Sequence, residues 1–309
     1  MCGDGGSDAM TALVERSVEV EQALAAAAPV VALETTIVAH GFPQPDGLTV
    51  GRECEARVRA RGAVPATTAV LDGSLRVGLR DEELERVAEA GPEARKVSPR
   101  DLAASIVDGA VGATTVGATL AMCRLAGMAV MATGGIGGVH RSYDVRPDIS
   151  ADLAELARTR AVVVCSGVKS LLDVAATLEA LETLGIPVIG FATDTVPLFY
   201  TAAGGPPAPA RADSAEAVAQ IARTHWELGR ESGILVTRPA SPDVEVSHLV
   251  DEALAEADAL AISGQAVTPF VLSRLHELSD GRTLDVNRSL AADNAELAAE
   301  IAVAYAQRA

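Results

Sequence analysis

The chain has 309 residues, enough for one large α/β domain or two smaller ones, either of which could bury a substantial core. Its 42 Asp and Glu against 25 Lys and Arg leave a net charge of -17, which argues against nucleic acid, because a phosphate backbone is held by clustered Lys and Arg. A small anionic substrate stays compatible, since a local cluster of backbone N–H groups binds phosphate even inside an acidic protein.

Residues 1–10, MCGDGGSDAM, read as a disordered lead without the basic start and apolar run of a signal peptide. No uninterrupted apolar segment is long enough to span a membrane, so a soluble cytoplasmic protein is expected. Cys2, Cys54, Cys123 and Cys165 show no CxxC or other metal spacing and read as reduced thiols.

From Thr11 to Ala28 apolar residues recur at helical spacing until Pro29 ends the run. VVALETTIV (30–38) reads as a buried strand, followed by the loop HGFPQPDG and a helix near 47–61. TTAVLDGSLRVGL (67–79) predicts two strands joined across Asp72-Gly73, a strong hairpin signal. Helices follow near 81–90 and 99–108, and GATTVGATLAMCRLAG (112–127) reads as a loop feeding a helix.

MAVMATGG is the next strand, ISADLAELART a helix capped near Ser150, AVVVCSG a strand, SLLDVAATLEALETLG a helix and IPVIGFAT a strand. Continuously apolar strands alternating with helices imply a parallel sheet covered on both faces. AAGGPPAPA (202–210) is the best linker candidate by composition. Beyond it, 214–229, 244–260, 268–280 and 289–306 read as helices and GILVTRP as the clear strand. No internal repeat is visible, so residues 11–309 are taken as a single α/β domain.

Only two lysines occur, Lys96 and Lys169. An amine can lose its proton and attack carbon where a guanidinium cannot, so a chain that otherwise writes Arg points to amine chemistry at one of them. Codon bias with two chance survivors is the competing account. Lys169 follows a buried strand, where ligands bind in open α/β sheets and where desolvation frees an amine to act as a nucleophile. A loop lysine paired with Asp173 is the alternative.

Glu34 ends another apolar strand and reads as a general acid or base, or as a strand-end ion pair. TGGIGGVH can bring backbone N–H groups close to an anion, although it fits neither GxGxxG nor a P-loop. His140 reads equally as a proton carrier or a structural histidine. Asp148, directly after Pro147, precedes the helix; it and Asp152 are candidates for a hard divalent cation, with helix capping the alternative account of Asp148 or Ser150. The two asparagines, Asn287 and Asn294, suit an orienting role toward a base edge or sugar hydroxyl, or a helix cap and an exposed helical position.

LETTIVAHGFPQPDG, VPATTAVLDGSLRVGL, KVSPRDL, TGGIGGVHR, DISADLAEL, VVCSGVKSLLDV and SLAADNAELAAEIAVAY together resemble the pseudouridine-5'-phosphate glycosidase family, also known as the indigoidine synthase A family, from about Pro29 to Tyr305. The resemblance implies a three-layer α/β/α fold with a mainly parallel sheet and reversible cleavage of pseudouridine 5'-phosphate to uracil and ribose 5-phosphate. It further implies a manganese requirement and a homotrimer. Carried over by motif, Lys169 is the nucleophile, Glu34 the proton donor and His140 the histidine of GGVHR. Lys96, Thr115, Val116, Ser150, Ala151, Asp152 and Asn287 are substrate contacts, and Asp148 is the metal position. This chain departs from the family pattern in SYDVRP before DISAD and in CSGV before Lys169.

Such a mechanism uses a lysine imine on ring-opened ribose as the electron sink. A class I aldolase-like lyase and a non-catalytic sugar-phosphate binder are the alternatives, with a sugar or nucleoside kinase behind them for want of an ATP-phosphate motif.

Overall fold

The computed structural model describes residues 13–307 apart from Ser142, Arg146 and Ser263; the lead predicted over residues 1–10 lies outside the described residues. The first predicted helix is split into β1 (Val14–Arg16) and α1 (Val18–Ala25). Ser17 caps α1, its hydroxyl accepting from the Val20 N–H at 3.2 Å, while the residues ahead of it pair in parallel with Leu75–Val77.

There follow β2 (Val30–Leu33), α2 (Thr36–His40), α3 (Asp46–Ala60), β3 (Val64–Leu71), β4 (Ser74–Val77), α4 (Asp81–Ala90), β5 (Arg95–Val97) and α5 (Leu102–Val107). The middle of the chain holds β6 (Gly112–Thr114), α6 (Val116–Ala126), β7 (Val130–Ala132), β8 (Val139–His140), α7 (Ala151–Leu156), β9 (Val162–Cys165), β10 (Leu172–Asp173) and α8 (Val174–Thr183). The last part holds β11 (Val188–Phe191), β12 (Ala210–Ala212), α9 (Ala215–Glu227), β13 (Ile234–Thr237), α10 (Ser247–Ala259), α11 (Val267–Leu278) and α12 (Arg282–Ala306).

The Asp72-Gly73 hairpin forms as predicted: Leu71 faces Ser74 across a two-residue turn whose φ angles are 51° and 76°, as a primed turn requires. Residues 112–114, predicted as loop, are instead a strand, held antiparallel to β3 and parallel to β5 by pairing that no local pattern announces. The proline-rich 202–210 stretch runs straight into β12, which joins the edge of the same sheet.

Among the described residues eleven strands make one mixed sheet in the order β1-β4-β3-β2-β7-β9-β13-β11-β12, with β6 and β5 branching from β3. The core strands β3, β2, β7, β9, β13 and β11 run parallel. Every residue of β2, β7, β9 and β13 is buried, so both faces of the sheet are covered, the condition for an α/β/α arrangement. The long α12 lies along β2, β7 and β9 and against α3 and α9.

Parallel register decides where chemistry can gather. Leu33 pairs with Ala132 and Ala132 with Val164, so the residues leaving β2, β7 and β9 emerge side by side at one edge. Ligands of open parallel sheets bind at such carboxyl ends.

Candidate active site

Glu34 leaves β2 and Thr133 leaves β7 from paired positions, which puts their side chains in contact. The Thr133 hydroxyl donates to Glu34 Oε1 at 2.6 Å and the Thr36 hydroxyl to Oε2. Glu34 is only 6% exposed, so the two donors replace the water it loses.

Lys169 sits on the loop leaving β9. Its N–H donates to the Ile136 carbonyl at 3.1 Å and its carbonyl accepts from Leu172 at 3.0 Å, which ties the lysine backbone to the glycine loop. Asp173, weighed above as its ion-pair partner, caps α8 instead, accepting from the Ala176 N–H at 2.9 Å. Lys96 reaches the same space from β5. Burial first, and then the positive charge of Lys169, push its amine down to about 8, against the opposing pull of Glu34 and Asp152.

Asp152 plays a part that spacing did not announce. Its two carboxylate oxygens each accept at 2.8 Å, one from Gly117 N–H near the start of α6 and one from Gly137 N–H in the glycine loop. Ser150 caps α7 by accepting from the Asp152 N–H at 3.2 Å, and Thr115 caps α6 by accepting from Ala118 at the same distance. Two helix starts and the loop are thereby drawn together, with Val116 and Ala151 at their tips. The loop is glycine-rich for space: a Cβ on Gly137 would collide with Ser150 and Asp152.

His140 lies on β8, with Nε2 3.6 Å from Asp148 Oδ2 and its backbone N–H bonded to the Asp148 carbonyl at 3.0 Å. Among the described residues no three His, Cys, Asp or Glu form a metal cluster. A single accessible carboxylate beside one imidazole is a poor zinc site, but it fits a hard divalent ion that keeps several waters.

Asn287 and Asn294 lie within α12 and are both buried, so neither is a cap or an exposed helical residue. Asn294 is turned into the fold: its Nδ2 donates to the carbonyls of Thr133 at 2.9 Å and Gly134 at 3.4 Å, holding the end of β7. Asn287 is the one that faces the site.

One cavity of about 440 Å³ is bordered by Glu34, Lys96, Thr115, Val116, His140, Asp148, Ser150, Ala151, Asp152, Lys169 and Asn287, whereas Asn294 and Asp173 stay off its wall. Sequence reasoning missed Thr133, Thr36, His40, Arg100 and Phe199, which share its wall. The one available signal was that Thr133 ends an apolar strand, as Glu34 does.

The sequence profile of the family described as "Indigoidine synthase A like protein" matches residues 19–304. The chain belongs to this family. It is 49% identical over 303 residues to the pseudouridine-5'-phosphate glycosidase of Paracoccus denitrificans (strain Pd 1222), covering 96% of this chain and 100% of the relative. It is 47% identical to the enzyme of the same name from Myxococcus xanthus (strain DK1622), covering 94% and 98%. Among solved structures, the prealnumycin C-glycosynthase AlnA in complex with ribulose 5-phosphate superposes with a TM-score of 0.87 at 37% identity, covering 95% of this chain and 97% of that one. An indigoidine synthase A-like protein of Thermotoga maritima gives 0.86, also at 37%, covering 96% and 97%.

Proposed function

We propose that the chain is a pseudouridine-5'-phosphate glycosidase, which reversibly cleaves the C–C glycosidic bond to give uracil and ribose 5-phosphate. What carries the reading is the meeting of two lysines and a hydroxyl-held carboxylate on one cavity, in a chain 47–49% identical to curated glycosidases of that name.

The leaving atom of a C-glycoside is a ring carbon without a lone pair to protonate, so paired-carboxylate chemistry is poorly matched to it. An amine offers another route. The Lys169 nitrogen bonds to C1' as the C1'–O4' bond opens, and the proton lost by nitrogen goes to O4'. The nitrogen lone pair then forms a C1'=N iminium while the C1'–C5 bond breaks and Glu34 delivers a proton to C5, releasing uracil. Water adds at C1', ribose 5-phosphate leaves as the aldehyde, and the liberated proton returns to Glu34. Lys96 and the starts of α6 and α7 bind the anionic sugar phosphate.

Asp148, beside His140, would hold the manganese ion that the family resemblance implies. A bound ion supplies positive charge for oxygen ligands at this end of the site. Asp148→Asn is expected to weaken Mn²⁺ binding, read from the paramagnetic resonance of the free ion, and unchanged binding removes the assignment. A homotrimer rests on the same resemblance, and its mass is read by light scattering; a cytoplasmic location rests on the sequence expectations alone.

The deciding experiment incubates the protein with uracil, ribose 5-phosphate and Mn²⁺ and looks for pseudouridine 5'-phosphate. Borohydride reduction during turnover should fix the sugar on Lys169, and Lys169→Arg should fold yet neither turn over nor be labelled. An adduct on Lys96 reverses the two lysines, and full activity in Lys169→Arg sinks the mechanism.

A further inference from the structure

We infer that His40 is a further substrate-binding residue, whose Nε2 accepts a hydrogen bond from a hydroxyl of the pentose phosphate. The inference rests on the proposed glycosidase reaction and adds a contact that the family resemblance did not supply. His40 ends α2, six residues after Glu34, and borders the same cavity. Its Nε2 is buried without a hydrogen-bond partner among the described residues. The Ala94 backbone favours a proton on the ring and Nε2 has no partner among the described residues, so the proton is assigned to Nδ1 and the Nε2 lone pair is left bare.

Burial, and then the charge of Lys96, lower the His40 pKa, so the ring stays neutral at physiological pH and Nε2 can only accept. A desolvated acceptor with no donor is a standing cost to the fold, which a ligand O–H removes. The ring is also rigidly rooted: a Cβ on Gly41 would come within 2.7 Å of the Ile37 carbonyl, and one on Gly47 would collide with that of Val38. The turn after His40 therefore closes tightly back onto α2.

An acceptor repels phosphate oxygens and uracil carbonyls, because those are acceptors too. The ligand groups left are the pentose hydroxyls and the uracil N–H groups. His40 shares a cavity wall with Lys96, the residue taken above to bind the sugar phosphate, so the pentose hydroxyls are the groups assigned to it.

The test compares wild type, His40→Phe and His40→Gln in the condensation of uracil with ribose 5-phosphate, 2-deoxyribose 5-phosphate and 3-deoxyribose 5-phosphate. For ribose 5-phosphate, His40→Phe should raise KM by about tenfold or more with little change in kcat, and Gln, whose amide oxygen can accept, should recover much of the loss. With the analogue that lacks the bonded hydroxyl, wild type and His40→Phe should share one KM. An unchanged KM in His40→Phe overturns the inference, as does an equal rise for all three sugars. If His40→Phe does not fold, His40→Ala takes its place in the same comparison. Absence of any product from the wild type would fail the glycosidase reading instead. His40 would then be judged by calorimetric binding of the three sugar phosphates to Lys169→Gln with and without His40→Phe, read by the same criterion.

Discussion

Lys96 carries its amine into the cavity that also holds Lys169, and burial together with that neighbouring charge brings it to about 8 from 10.5. The folded state thus holds this proton less tightly than the unfolded chain. Between those two values the unfolded state binds more protons, so the contribution of Lys96 to stability grows as pH rises through the window. Anion binding runs the other way, because it uses the ammonium. Affinity for inorganic phosphate, measured by calorimetry, should be level just below about pH 8 and weaken above it. Lys169→Gln removes a charge that disfavours the ammonium and should move that break to higher pH, and Lys96→Gln should abolish it. A break indifferent to Lys169 would refute the coupling. Thr133 is the other residue whose role follows from one contact. Thr133→Val strips a donor from Glu34 and should lower kcat by about tenfold to a hundredfold at similar KM, with Thr133→Ser largely restoring it. If Val and Ser behave alike, the hydroxyl does not position Glu34. Lys169 and Glu34 were legible in the sequence because an amine or a carboxylate ending an apolar strand needs a reason. Thr133 and His40 were not, since threonine is an ordinary strand residue and its partner lies 99 positions away.

Among the elements, long apolar periodicity was readable from the sequence and short pairing was not. β3 and β4, with Asp72-Gly73 between them, and the helices α3, α4 and α8 carry their own signals in spacing, turn residues and caps. β1, β6 and β12 are three residues each and exist only because distant strands complete their hydrogen bonds. The same blindness hid Asp152, which spacing offered as a cation ligand and motif as a substrate contact. In the fold it joins α6, α7 and the glycine loop through two buried backbone N–H groups. Asp152→Asn sets an amide N–H against one of those donors. It should cost about 1.5–3 kcal/mol, the worth of a hydrogen bond to a charged group, or about 2–5 °C in Tm for a chain of this size. Ribose 5-phosphate affinity should fall with it, because the helix starts lose their alignment. A wild-type melting curve from Asp152→Asn would show that the clamp contributes nothing.

At the scale of the molecule, the site is assembled from positions that span the chain, from Glu34 on β2 to Asn287 on α12. One hydrophobic cluster likewise runs from Val14 to Ala302, and α12 packs on the central strands and on helices from both ends of the sequence. Neither the cavity nor the core can then be lost piecemeal: releasing α12 uncovers β2, β7 and β9 and removes Asn287 and Asn294 together. Calorimetry is therefore expected to give a single unfolding transition, with the 202–210 stretch marking no boundary between separately melting parts. A ligand that binds only the folded state must shift that whole transition. In Lys169→Gln, which cannot form an imine, ribose 5-phosphate at a hundred times its Kd adds about 2.7 kcal/mol and should raise Tm by about 4 °C without splitting the peak. Two transitions, only one of them responding to the ligand, would mean that the part after residue 210 folds on its own and that Asn287 reaches the site across a domain interface.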